Sequence, residues 1–293
     1  MKKTLLATTL LVATAGLAAA EVNLSGSGRF GIIDSSSAVK TIIDTRLTFN
    51  IDAKMETDGG VTFGGRIRFR YNDGQSYTWG SPAMLYMETS GLRVEVGNAN
   101  GAYDSAGLIW NSEIGLTDSS YGDPNNVYYG YFESLDYGNA NQMGIFASYS
   151  MGDLTARVSY HVANQYVNNS ADETSISLDW SSNGFSVSAA YVTGTTGSTE
   201  ETTFIGAAYA IGDSTNVGLN YFTGDAPDLV TLYANHTMAN GLTLAGYVAD
   251  QDTYDTAFGI GASYPLGGGA AIKAAYHDRG ADNFSEFGVT FSF

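Results

Sequence analysis

Apolar and polar side chains alternate at every second residue through most of this chain. The clearest example is residues 61–71, where one parity is apolar and aromatic and the other carries Arg66, Arg68 and Arg70. Successive side chains of a strand point to opposite faces, so the pattern predicts a strand with one apolar and one cationic face. Three unpaired guanidinium groups cannot lie in a core, so the arginine face must contact water. The apolar face then requires either a protein core or lipid.

The same two-residue rhythm predicts further strands on both sides of this stretch. It is present in residues 22–32, 43–54, 83–88 and 92–97, and it resumes at Met143 and continues to the last residue. Short glycine-containing turns alternate with longer polar connections, which is typical of an up-and-down antiparallel meander. We count about sixteen strands, which is an even number and returns both ends of the sheet to the same side.

The rhythm stops between Asn98 and about Asn141. This stretch carries six acidic residues and neither lysine nor arginine. A structureless connection of this length is uncommon and is usually functional or disordered. Its many aromatic residues argue against disorder. We therefore predict a functional loop at about 98–141.

The first twenty residues are typical of a secretory signal peptide. Lys2 and Lys3 precede an apolar run, and small residues end at Ala20. The run is short compared with the ~20 residues that a membrane-spanning helix needs. We predict cleavage after Ala20, with residues 21–293 forming a single domain. The sequence has no cysteine, so neither a disulfide framework nor thiol chemistry is available to it.

The charge balance excludes nucleic acid as a partner. Removing Lys2 and Lys3 leaves 11 basic against 30 acidic residues, a formal charge of −19. A chain of this charge binds polyanions poorly. The acidic groups could serve solubility, divalent cations or the field of a pore.

Two architectures fit many amphipathic antiparallel strands, a soluble sandwich and a closed barrel. The solvent-facing strands of soluble sheets usually carry lysine and glutamate, but the polar parity here carries almost no lysine. The predicted export signal, the acidic charge and the excess of tyrosine at strand ends favour a transmembrane barrel. Barrels of ~16–18 strands enclose an aqueous channel rather than a packed interior.

The sequence resembles the general diffusion porins of the outer membrane, and most closely the sixteen-stranded trimeric porins of purple alphaproteobacteria. The resemblance covers residues 21–293 and rests on the start at Glu21-Val22-Asn23-Leu24-Ser25-Gly26, the arginine-rich early strands, the acidic insertion with Tyr103-Asp104-Ser105 and Asn111-Ser112-Glu113-Ile114-Gly115, and the terminal Phe293. It implies an outer-membrane location, a homotrimer in contact with lipid and lipopolysaccharide, and a third loop folded inward. The implied activity is passive diffusion of small hydrophilic solutes and ions.

Charge segregation gives the candidate site. The basic residues on the polar parity of the early strands are Arg29, Arg46, Lys54, Arg66, Arg68, Arg70 and Arg93, and the acidic residues of the insertion that would face them are Asp104, Glu113, Asp118 and Asp123. Arginine stays charged at any working pH. The hypothesis is that the two sets oppose each other across a constriction and create a transverse field. The alternative is that these charges solvate the lumen or pair locally.

Other functions have weaker support. His161, His236 and His277 form no recognisable set with a serine and an acid, so neither a barrel lipid hydrolase nor a required cofactor is predicted. Asp250, Asp252 and Asp255 could bind Ca²⁺, but they lack the glycine and the terminal glutamate of a calcium loop, and a solvated loop is the alternative. A channel selective for sugars or carboxylates is the second reading. An aromatic ladder on the inner wall would support it, but we expect none on the polar parity.

Overall fold

The strands close into a single antiparallel barrel. The computed structural model describes residues 20–37, 41–73, 79–122, 141–195 and 201–293. β1 (Glu21–Ser35) pairs with β2 (Thr41–Glu56) on one side and with β17 (Asn283–Ser292) on the other. The other strands of the described residues are β3 (Thr62–Asn72), β4 (Trp79–Gly80), β5 (Met84–Thr89), β6 (Leu92–Gly97), β7 (Met143–Met151), β8 (Leu154–Val162), β9 (Asp172–Ser182), β10 (Phe185–Thr195), β11 (Thr202–Ile211), β12 (Thr215–Gly224), β13 (Leu229–Thr237), β14 (Thr243–Gln251), β15 (Ala257–Gly267) and β16 (Ala270–Asp278).

These strands fill sixteen positions around the barrel, because β4 and β5 share one. β3 pairs with β4 at Phe69 and Arg70, and with β5 between Thr62 and Arg66. Every other strand pairs with its neighbours in sequence, and the β1–β17 pairing closes the ring. The predicted sixteen-stranded barrel is therefore confirmed, and a two-layer sandwich is excluded.

The apolar parity forms the outer surface of the barrel. Ile43 is 73% exposed, and large apolar side chains on the same face of nearly every long strand are also exposed. An apolar belt of this extent does not face water in a soluble protein, and it is typical of a membrane-spanning barrel. The opposite parity faces the interior, where residues 98–122 pack against it.

The described residues contain no helix that is both long and apolar enough to cross a membrane.

Residues 98–122, here called the inserted segment, leave the wall part-way up. β5 and β6 have only six residues each, whereas β2 has sixteen. At about 3.3 Å per residue, β6 rises roughly 20 Å from its turn before the inserted segment begins. The inserted segment therefore turns onto the inner face of the barrel at the end of this short strand, below the rim that the longer strands reach. The rest of the predicted loop lies outside the described residues between positions 123 and 140, as does the predicted signal peptide at positions 1–19.

The buried apolar core lies inside the barrel, between the inserted segment and one side of the wall. Tyr103, Leu108 and Ile109 from the inserted segment pack with aromatic residues of β11–β14. Those inward aromatic residues are Phe204, Phe222, Tyr233 and Tyr247, each at most 4% exposed. The sequence predicts no aromatic ladder along the inner wall, but four aromatic rings do point inward here. The inserted segment covers these rings, so they are not exposed to water in the lumen.

Candidate functional site

The inserted segment is held to the inner wall by polar contacts along its length. Near its start, the backbone N–H groups of Ala102 and Tyr103 donate to the hydroxyls of Ser159 (2.8 Å) and Ser175 (3.1 Å) on β8 and β9. These serines have no charge to desolvate, so they satisfy the backbone of the inserted segment at low cost.

Two further wall residues hold the middle of the inserted segment. The Gly107 N–H donates to Asp179 Oδ1 of β9 at 2.8 Å, and Asn220 Nδ2 of β12 donates to the Leu108 carbonyl at 3.0 Å. Asp179 also accepts from Arg157 and Ser188. The inserted segment therefore follows the inner face from β8 across to β12 and onwards.

The far end of the inserted segment reaches the strands that close the barrel. Leu116 is fully buried and lies over Gly31 of β1 and Gly288 of β17, which are paired in register. A Cβ atom at either glycine would be in steric conflict with the Leu116 side chain. The Thr117 N–H and hydroxyl donate to Glu286 of β17 at 3.0 and 2.7 Å. The path of the inserted segment thus leaves the inner faces of β2 and β3 uncovered by these contacts.

Five arginines lie on the inner face of β1–β3, and we call them the arginine wall: Arg29, Arg46, Arg66, Arg68 and Arg70. Each donates to an inward side chain of a neighbouring strand. Two of the acceptors are carboxylates, since Arg29 binds Asp44 through two bonds of 2.7 and 3.0 Å and Arg66 binds Asp52 at 2.7 Å.

The other three arginines donate through Nε to neutral acceptors. Arg46 donates to Asn72, Arg68 to Asn50 and Arg70 to Thr48, at 2.8, 2.8 and 3.0 Å. Neutral acceptors orient a guanidinium group without cancelling its charge. Among the described hydrogen bonds of the arginine wall, two acceptors are carboxylates, those of Asp44 and Asp52.

Lys54 and Arg93 lie apart from the arginine wall, towards the ends of their strands at the short turns. Lys54 pairs with Glu21 at 3.1 Å. Arg93 pairs with Glu95 at 2.6 Å and Glu88 at 2.9 Å, and its guanidinium carbon lies 3.8 Å from the centroid of the Tyr86 ring. These two predicted members of the basic set each have a local acidic partner, which is the arrangement that the alternative reading described.

Asp118 is the predicted acidic residue that shares a recess with the arginine wall in the described part of the chain. Its Oδ1 is 2.6 Å from Lys273 Nζ of β16, and Arg29 Nη1 donates to the neighbouring Thr117 carbonyl at 3.3 Å. A polar recess of about 360 Å³ is lined by Arg29, Arg46, Arg70, Lys273 and Asp118, together with hydroxyl groups of β1 and β17. The structure thus brings one predicted carboxylate together with three of the predicted arginines.

Asp104 and Glu113 lie half-buried on the inserted segment, and Asp123 lies outside the described residues. The Asp104 carbonyl accepts from Trp110 Nε1 at 2.9 Å, and the Glu113 N–H donates to the Trp110 carbonyl at 3.1 Å. Between these two residues the chain packs against the wall.

Burial, and then the nearby Glu173 carboxylate, raise the pKa of Tyr103 above its usual range, so this phenol stays neutral.

The histidines serve the packing of the wall and form no catalytic set in the described part of the chain. His161 is buried, with Nε2 3.1 Å from the Ala99 carbonyl, and His277 is buried beside Glu286. His236 lies on an exposed edge, where Nδ1 is 2.7 Å from the Thr215 hydroxyl.

The calcium candidates are not gathered into a site in the described residues, where no three acidic or histidine side chains are placed to hold a metal. Asp250 Oδ1 instead accepts from the Thr256 hydroxyl at 2.9 Å. The Asp252 N–H donates to the Asp228 carbonyl at 3.0 Å, which ties two connections together. Calcium binding by Asp250, Asp252 and Asp255 stays a prediction.

Sequence reasoning missed the wall residues that hold the inserted segment, chiefly Asp179, Lys273 and Glu286. One signal could have found this side of the barrel. Val192, Phe204 and Phe222 are apolar residues on the inward parity, and an inward apolar side chain requires something to cover it. The long insertion was the available candidate for that role.

Comparison with known proteins gives the family. The sequence pattern of the Gram-negative porins matches residues 7–289. The chain is 36% identical to a porin of Fuscovulum blasticum and 26% identical to a porin of Rhodobacter capsulatus, in each case over 93% of this chain and 100% of the relative. A solved structure of a mutant porin of Rh. blastica superposes with a TM-score of 0.88 at 35% identity, and covers 93% of this chain and 100% of that one.

The predicted resemblance is therefore confirmed by sequence and by structure. The closed barrel, with its apolar outer face and the polar recess beside the arginine wall, matches what the family does, which is passive diffusion through an outer-membrane channel and not catalysis. This chain belongs to the Gram-negative porin family, and it is a general diffusion porin of the outer membrane.

Proposed function

We propose that solutes crossing this porin pass between the arginine wall and the inserted segment, and that the opposed charges orient them. The observation that carries the proposal is the recess in which Arg29, Arg46 and Arg70 meet Asp118 of the inserted segment. Opposite charges on facing walls create a field across the path, and low-dielectric walls concentrate it. A polar solute aligns its dipole with that field, whereas an apolar solute must displace ordered water.

The arginine wall also sets ion preference under this proposal. The chain as a whole is strongly acidic, which favours cations, whereas the arginine wall gathers five guanidinium groups on one inner face. Fields close to a path act more strongly than distant surface charges, which are screened beyond about 8 Å at physiological ionic strength. The arginine wall therefore opposes the cation preference that the net charge creates.

We further propose that the functional unit is a homotrimer surrounded by outer-membrane lipid and lipopolysaccharide. The family is generally trimeric, and the outer face offers a continuous apolar surface for both lipid and a second copy. Planar-bilayer recording tests this, since insertion of a trimer raises the current in steps that close in three equal levels. Single closing levels would argue for a monomeric unit.

The charge proposal is tested by replacing Arg46, Arg68 and Arg70 with glutamine. These substitutions remove three positive charges from one inner face, and the Nε bonds that they break go to the neutral side chains of Asn72, Asn50 and Thr48. We expect the reversal potential in a salt gradient to move towards cation selectivity by a severalfold change in permeability ratio. The matched control is the pair Lys54→Gln and Arg93→Gln at the short turns, for which we expect little change. Equal reversal potentials in the wild type and the triple variant would refute the proposal.

The alternative is a channel selective for sugars or carboxylates. Sugar selectivity normally requires aromatic faces exposed along the path. The inward rings of Phe204, Phe222, Tyr233 and Tyr247 are covered by the inserted segment, so they offer no such surface in the described residues. Saturation of solute flux at millimolar sugar or carboxylate would favour the alternative, whereas flux that rises linearly with concentration supports general diffusion.

A further inference from the structure

Glu286, on the inner face of β17, accepts hydrogen bonds from the end of the inserted segment. It is 2% exposed, and its side chain is fully shielded from solvent. Its Oε2 accepts from both the N–H (3.0 Å) and the hydroxyl (2.7 Å) of Thr117. Hydrogen bonds to a carboxylate are stronger than those between neutral groups. One carboxylate oxygen thus binds two donors of a single residue in the inserted segment.

The other oxygen of Glu286 is fixed by the wall. Oε1 lies 3.4 Å from His277 Nε2, and His277 Nδ1 lies 3.0 Å from the Tyr247 hydroxyl. The ring of Phe284 stacks on the imidazole at a centroid distance of 4.3 Å. Packing and these wall contacts hold the carboxylate in one orientation independently of the inserted segment's own bonds, which is how a binding group is preorganised.

The inserted segment is shaped to receive this carboxylate. Gly115 has a φ of +83°, in the left-handed region that glycine tolerates, and a Cβ atom there would overlap Glu286 Oε1. Leu116 then fits over the glycine pair of β1 and β17. The backbone of residues 115–117 thus lies directly against the wall at this point.

We infer that Glu286 is a positioning residue of the constriction, which sets the place of Thr117 and Asp118 although it faces no solute. This inference rests on the proposed function, because it concerns the same path. Thr117 offers its carbonyl to Arg29 at 3.3 Å, and Asp118 pairs with Lys273 at 2.6 Å. Both contacts depend on where residue 117 is held. Without Glu286, the end of the inserted segment keeps the Asp118–Lys273 pair but loses its buried attachment at Thr117, so it samples several positions in the lumen.

Single-channel recording of Glu286→Ala and Glu286→Gln tests the inference. Losing charge-assisted bonds to a buried group raises the population of displaced states by roughly tenfold or more. We therefore expect Glu286→Ala to raise open-channel current noise and to lower the voltage at which channels close. Glu286→Gln should restore much of the wild-type behaviour, because its amide oxygen still accepts from Thr117. The matched control is Glu95→Ala, since Glu95 is also largely buried but pairs with Arg93 at 2.6 Å.

Thr117→Val supplies a second test that leaves the barrel strands unchanged. It removes the hydroxyl donor to Glu286 but keeps the backbone N–H, so an intermediate rise in noise is expected. If folded Glu286→Ala and Thr117→Val channels both keep wild-type noise and closing voltage, the inference is overturned. If noise rises while the triple arginine variant keeps its reversal potential, Glu286 still positions the inserted segment and only the transverse field is refuted.

Discussion

The two sides of the lumen are built from the same sheet face and differ in what covers them. The arginine wall of β1–β3 carries guanidinium groups held by acceptors on neighbouring strands. The opposite side, on β11–β14, carries Phe204, Phe222, Tyr233 and Tyr247, which the inserted segment covers. Both sets point inward. Strand parity therefore distinguishes outward from inward side chains. Among the inward side chains of these two sides, the apolar ones are those that the inserted segment covers.

The covered side is packed like the core of a soluble domain. Substitutions there change apolar packing and leave every charged side chain in place. Phe204 is fully buried and packs against Phe222 at a ring-centroid distance of 4.9 Å. On the arginine wall, the side chains are instead oriented by hydrogen bonds to polar side chains of neighbouring strands. Substitutions on the two sides should consequently differ in what they change first, namely stability on one side and selectivity on the other.

The largest effect should come from Phe204→Ala. Removing a buried phenylalanine costs about 3–5 kcal/mol of unfolding free energy, because a cavity is left behind. Chemical unfolding in detergent micelles measures this as a lower midpoint. The matched control is Ile205→Ala, one residue along the same strand but on the outer face and 52% exposed. If the two substitutions lowered the midpoint equally, the covered side would not be a core.

A smaller effect should follow from Arg29→Gln. The Asp44 carboxylate is 4% exposed and would lose both hydrogen bonds from Arg29. Leaving a buried charged acceptor unsatisfied costs about 1–3 kcal/mol. Lys54→Gln is the comparison, because its exposed pair with Glu21 should contribute nothing measurable. Unfolding midpoints in the same micelles test the ranking, and a larger loss for Lys54→Gln would contradict it.

The smallest effect should be that of Asp118→Asn, which keeps the shape of the side chain and removes one negative charge beside the arginine wall. The amide cannot form the ion pair with Lys273, so the recess becomes more positive. We expect a modest shift of the reversal potential towards anions, with no change in unfolding midpoint. A shift towards cations would show that Asp118 does not contribute to the field near the arginine wall.

Much of the fold could be predicted from the sequence because lipid imposes a strict two-residue period. Residues 61–71 gave the parity of β3 correctly, and the break after Gly97 marked the start of the inserted segment. The number of strands followed from length and turn spacing. What parity cannot supply is register, because a shift of one strand against the next changes every cross-strand partner.

The candidate site was predicted less completely for that reason. Asp44 and Asp52 stand on the same polar parity as Arg46, but only the β1–β2 and β2–β3 registers place them against Arg29 and Arg66. Glu286 lies far from Thr117 in sequence, and nothing local indicates that they meet. The residue type of the aromatic side chains on the covered side does not show that they point inward, whereas their positions in the paired strands do.

The seat of Leu116 on Gly31 and Gly288 has a consequence for how the molecule is assembled. These glycines belong to the first and last strands, so the seat exists only once the two ends of the sheet have met. A chain that adds hairpins one after another forms this seam at the end. Leu116 can therefore pack in this position only after β1 and β17 have paired, because a barrel that is still open lacks one side of the contact.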